Sequence, residues 1–70
     1  MSSSRQRSEA RRYRQVTELA QYLASSRYGE EICTQAVYGS LDYEETAYDL
    51  NCSVAVLSAA ISEAIVYHDG

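Results

Sequence analysis

The side chains that could do chemistry in this chain are few. His68 is its only histidine, and Cys33 and Cys52 are its two cysteines. A thiol becomes a catalytic nucleophile when a base stands within hydrogen-bond reach and a third group orients that base. Here the histidine lies near a fraying end and both thiols fall on apolar helix or turn positions, so catalysis is not expected. Metal sites draw on two to four clustered His, Cys or carboxylate ligands, and neither CxxC nor HxxxH spacing occurs. With three glycines in all there is no glycine-rich phosphate loop. The expected protein has no enzymatic activity, no metal and no cofactor. The thiols read as reduced, buried groups, since two cysteines allow at most one disulfide. The acidic pairs Glu30-Glu31 and Glu44-Glu45 fall at expected helix starts, where negative charge complements the macrodipole.

The distribution of charge says more. The net charge of -4 divides into +4 over the first 27 residues, where six arginines face Glu9 and Glu18, and -8 over the rest, which has no Lys or Arg. An acidic surface repels phosphate and attracts basic proteins across a Debye length of about 8 to 10 Å. Arg11, Arg12 and Arg14, in the basic segment, are candidate contacts to phosphate or to a second partner, or else a solvated face.

Seventy residues allow one domain, and a chain this short buries only about 60% of the surface its unfolded form exposes. Added buried area from a partner is therefore expected. The absence of proline favours helix throughout. Residues 1–7, Ser-rich and basic, read as a mobile arm, and residues 8–70 as a single helical domain. The apolar positions Val16, Leu19, Ala20 and Leu23, with Tyr13 a turn earlier, predict a first helix from about Ser8 to Ser25. Arg27-Tyr28-Gly29 breaks it, and a second runs from Glu30 to Tyr38, with Ile32, Cys33, Ala36 and Val37 on one face and Gly39 closing it. A third starts at Asp42, which with Glu45 forms a capping box, and ends near Leu50. Asn51-Cys52 reads as a tight turn, and Ser53 caps a fourth helix reaching about Tyr67. The polar N-terminal segment has no apolar stretch of the signal-peptide kind. No apolar run approaches the roughly 20 residues of a membrane span, so a cytoplasmic location is expected. All seven aromatic residues are tyrosines, which suit interfaces and equally the half-buried edge of a small core.

The stretch from Glu44 to Ile61 resembles a helix-turn-helix unit. Ala47 matches the small residue where the two helices cross, Asn51 and Cys52 match the turn, and Ser53 matches the cap of the second helix. Leu50, Leu57, Ala60 and Ile61 match the core positions. The resemblance implies a three-helix core completed by the second helix, and a recognition helix whose exposed face reads DNA. In this sequence that face carries Ser53, Val54, Ala55, Ser58, Ala59, Ser62 and Glu63, with no Arg, Lys, Asn or Gln to contact base edges or phosphates. DNA recognition would then rest on the arginine arm alone.

The fourth helix is apolar around most of its circumference, as a buried helix is. With few other helices to cover it, Val54, Leu57, Ile61, Ala64 and Ile65 are expected to form a two-fold homodimer interface; a groove for a partner's helix is the alternative. The expected fold is therefore all-α, a small four-helix domain with a helix-turn-helix-like C-terminal half, dimeric. The expected function is that of a protein-binding modulator, with Tyr38, Tyr43, Glu44, Glu45, Tyr48 and Asp49 presented to a partner's basic surface. In size, charge and helicity the chain is similar to phage-encoded inhibitors of host machinery, such as anti-CRISPR proteins and anti-activators of transcription factors. That similarity implies a target among transcription factors or other nucleic-acid-binding proteins. The alternative is a transcriptional regulator that binds DNA through its basic arm.

Overall fold

The computed structural model describes the backbone of residues 4–69 and the side chains of residues 11–67. Its elements are four helices in the order α1 (Ser4–Ser25), α2 (Arg27–Val37), α3 (Tyr43–Asp49) and α4 (Val54–Asp69). α1 starts earlier than the periodicity predicts, because Arg, Gln, Glu and Ala are strong helix formers whether or not they have anything to bury. The expected mobile arm, residues 1–7, thus overlaps its first turns, and residues 1–3 lie outside those described.

A single residue, Ser26, separates α1 from α2. Its extended backbone (φ -106°, ψ 153°) turns the chain, and its Oγ accepts a 2.9 Å hydrogen bond from Gly29 N–H as the N-cap of α2. Arg27-Tyr28-Gly29, expected to break the chain, instead forms the first turn of α2, because the serine before it supplies the cap.

The other two corners close by one device. After α2, Gly39 takes φ +75°, Ser40 N–H donates to Gln35 O at 2.9 Å and Gly39 N–H to Ala36 O at 3.1 Å. After α3, Asn51 takes φ +57°, Cys52 N–H donates to Ala47 O at 2.9 Å and Asn51 N–H to Tyr48 O at 3.1 Å. Both are Schellman endings, in which a left-handed residue lets two amides reach back to carbonyls left open by the last turn. Asn51→Gly is therefore expected to preserve stability in urea denaturation, while Asn51→Ala costs about 1 kcal/mol, since an alanine pays the left-handed penalty with no compensating side chain. Equal losses in both variants would place the role in the amide side chain instead.

Asp42 caps α3, its Oδ1 accepting from Glu45 N–H at 3.1 Å. Ser53 caps α4, its Oγ accepting from Val56 N–H at 3.2 Å. The axes of α3 and α4 bend by 95° across the intervening break. No single helix among the described residues is long and apolar enough to cross a membrane.

α1 packs principally along α4 and also against α2, while α3 rests on α4 alone. The core joins Ala20 and Leu23 of α1, Ile32 and Cys33 of α2, Ala47 of α3, and Leu57, Ala60, Ile61 and Ala64 of α4. This placement corrects the expected dimer interface. Leu57 and Ala64 have no exposed surface and Ile61 almost none, because the apolar side of α1, from Val16 to Ala24, packs along α4 within one chain. Of the five residues assigned to that interface, Ile65 is half-buried and only Val54 is exposed.

Candidate binding surface

The six residues expected to contact a partner divide into three environments. Glu44, Glu45, Tyr48 and Asp49 are all exposed on α3. Residues three and four apart share a helix face, so Glu44 and Glu45 stand one turn before Tyr48, and Asp49 borders the same patch. The Tyr48 ring is 86% exposed, the most open of the large apolar side chains among the described residues. Tyr43 does not join them: it packs half-buried against the core from the first turn of α3. Its ring therefore helps to hold α3 while part of its surface stays open at the edge of the acidic face. Tyr38 is 81% exposed but sits on the cap residue of α2, outside the α3 face.

α3 carries this patch because its inner side is held. Thr46 and Ala47 are buried against α4, with Tyr43 and Leu50 packed beside them. In a seven-residue helix the remaining positions can only point outward. No cation follows in the last turn, so the face keeps its negative field.

A second feature lies beside the patch. Gln15 of α1 faces the α3–α4 corner across an open groove of about 630 Å³, whose other walls are Ala47, Tyr48, Asn51, Cys52 and Ser53. The groove continues toward Leu19, Leu50 and Val56 in a smaller lobe of about 280 Å³. Tyr48 is thus at once the centre of the acidic patch and one wall of the groove. Sequence periodicity had no means of placing Gln15 here, since nothing in a single polar position on α1 tells which corner of the fold it meets.

The arginine candidates Arg11, Arg12 and Arg14 are exposed along α1, together with Tyr13, whose ring is 75% exposed and does not join the core as the spacing predicted. Val37 is likewise exposed although it shares a helical face with Ile32 and Cys33, because α2 ends there, beyond the neighbours that cover its earlier turns. Of the face that the helix-turn-helix resemblance would turn to DNA, Ser53, Val54, Ala55, Ser58, Ala59 and Ser62 are exposed and Glu63 is half-buried.

Cys33 is buried and Cys52 half-buried, and both are free thiols. Burial pushes both thiols up from their ordinary pKa, which disfavours the reactive thiolate. Among the described residues no three His, Cys, Asp or Glu side chains are grouped to hold a metal ion. Compared with known proteins, the chain matches no family model, no curated protein and no solved structure.

Proposed function

We propose that this chain is a non-enzymatic protein-binding modulator, which docks the acidic face of α3 onto the basic, nucleic-acid-binding surface of a target protein and so inhibits it. The observation that carries this reading is Tyr48, a large ring left 86% exposed between carboxylates and used by nothing in its own chain. Exposed aromatic surface with a charged rim is the composition of a binding hot spot: the ring supplies a desolvated anchor, and the rim speeds encounter and selects the sign of the partner. The charge balance of residues 28–70, eight carboxylates and no Lys or Arg, favours a basic partner and disfavours phosphate. The similarity in size, charge and helicity to phage-encoded inhibitors agrees with this reading.

One observation favours a second reading. The 95° bend between α3 and α4, with Asn51 in the left-handed region at the corner, agrees with a helix-turn-helix unit, whose helices cross at about 90–120°. Buried Ala47, Leu57, Ala60 and Ile61 occupy the core positions that unit requires. The exposed face of α4 nonetheless presents small and aliphatic side chains, where base readout uses Arg, Lys, Asn or Gln. A DNA-binding regulator would have to rely on Arg11, Arg12 and Arg14.

The α3 reading is tested by fluorescence anisotropy with a labelled arginine-rich helical peptide. Tyr48→Ala is expected to weaken binding by tenfold or more, consistent with a hot-spot loss of about 2 kcal/mol. Glu44→Arg/Glu45→Arg is expected to abolish binding. Tyr48→Ala falls on an exposed position, so its thermal melting followed by circular dichroism should be nearly unaltered. Glu44→Arg/Glu45→Arg, in the first turn of α3 where carboxylates complement the macrodipole, should lower the melting temperature by about 5 °C or more without unfolding the chain. Unchanged affinity in Tyr48→Ala would remove the reading.

A further inference from the structure

The groove beside Tyr48 is lined by uncharged residues, apart from Glu18 of α1 in its smaller lobe, and charged pairs of opposite sign stand a turn beyond its two flanks at the same sequence spacing. On one flank, Gln15 lines the groove, and Arg11 and Arg12, four and three residues earlier on α1, are exposed a turn away. On the other, Tyr48 lines the groove, and Glu44 and Glu45, four and three residues earlier on α3, are exposed a turn away. α1 and α3 each pack on α4 and not on one another, so helix packing does not join the two charged pairs within the chain. All six cations are arginine, whose planar fork pairs with a carboxylate through two parallel hydrogen bonds and stacks on a tyrosine face.

We propose that this groove is the centre of a two-fold homodimer, in which Arg11 and Arg12 of each copy pair with Glu44 and Glu45 of the other. The proposal deepens the α3 reading, on which it rests, by naming a second copy of the chain as one basic partner of that face. A two-fold axis through the groove exchanges its flanks. It therefore places each arginine pair over a glutamate pair and forms the same contact twice, which closes the assembly at two copies. Tyr48 of each copy then meets the partner's arginines, where cation–π attraction adds to the ion pairs. The α4 stripe stays inside each chain, so dimerisation requires no exposure of the core. Such an interface is polar, exposed at its rim and weak, so a more basic target would displace the second copy from the α3 face.

Sedimentation equilibrium of the full chain tests this. At about 20 mM salt the chain is expected to be a dimer, and its dissociation constant should rise about tenfold or more by about 500 mM, as screening shortens to a few Å. Arg11→Glu/Arg12→Glu alone and Glu44→Arg/Glu45→Arg alone should each be monomeric. Their equimolar mixture should dimerise again, because both contacts of the mixed pair are complementary. Circular dichroism confirms that each variant folds.

A mixture that stays monomeric overturns the proposal. So does a salt-insensitive dimer that neither reversal disturbs, which would mark an apolar interface, and so does open growth beyond two copies. A chain that is monomeric at every salt concentration also overturns it. In that case arginine-peptide binding to α3 would show that the wider reading survives, and loss of peptide binding as well would remove both.

Discussion

Gly29→Ala is expected to remove a large share of the chain's stability and to lower its melting temperature by about 12 °C or more. Gly29 is buried in the first turn of α2, against the last turn of α1, and a Cβ built there overlaps the Leu23 backbone, falling 2.7 Å from its carbonyl carbon and closer still to its Cα and O. Those are main-chain atoms, so no rotamer change relieves the overlap. Relief requires prising α1 from α2 at Leu23, whose side chain has no exposed surface. Overpacking typically costs 1–3 kcal/mol when side chains can adjust and more when they cannot, so about 3 kcal/mol or more is expected here. A domain of this size has a total stability of about 4–10 kcal/mol. A melting temperature about 12 °C or more below that of the native chain, followed by circular dichroism, would register the effect. A melting temperature equal to that of the native chain would mean that α1 and α2 do not approach this closely.

Leu57→Ala is the second large effect, and it separates two assignments of α4. Leu57 is one of the two largest fully buried side chains, with Leu23. Truncating a buried leucine costs about 2–5 kcal/mol from lost transfer energy plus the cavity left behind. If Leu57 lies in the core of one chain, that loss is the same at every protein concentration. If it lay in a dimer interface, as the apolar circumference of α4 first implies, the apparent loss would vary with concentration by mass action. Urea denaturation at two concentrations, about fiftyfold apart, decides between them. A concentration-independent loss of about 3 kcal/mol is expected, and a marked concentration dependence would return Leu57 to an interface.

The elements were readable because local rules govern them. Asp42, Ser53, Gly39 and Asn51 are cap and corner residues whose roles depend on their neighbours within four or five positions, and each is found in the role its type suggests. Ser26 was as legible in principle, but its neighbour Gly29 looked like a break, and only the close approach to Leu23 reveals why glycine is there. Burial was less readable, because it depends on what covers a face. A helix of small apolar residues such as α4 shows nearly the same hydrophobicity on its covered side (Leu57, Ala60, Ala64) and its open side (Ala55, Ala59), so periodicity could not tell one from the other. The packing of α1 settled it: Val16, Leu19, Ala20, Leu23 and Ala24 lie against the core that holds Leu57, Ala60 and Ala64. In the candidate surface, the exposed acidic set on α3 was legible from composition and spacing, whereas the division of Tyr43 from Tyr48 was not. Two tyrosines five residues apart on one short helix carry no local mark of which one meets α4. The groove opposite Gln15 was beyond sequence reasoning altogether, being the meeting of α1 with the α3–α4 corner.

The most direct measurement is a side-by-side titration of the native chain, at one low salt concentration, with a labelled arginine-rich helical peptide and with random duplex DNA. Binding of the peptide, lost in Glu44→Arg/Glu45→Arg, together with no binding of the duplex, is the result expected of a protein-directed acidic surface. Binding of the duplex that weakens steeply with added salt, with no affinity for the peptide, would contradict it and place function in the arginines of α1.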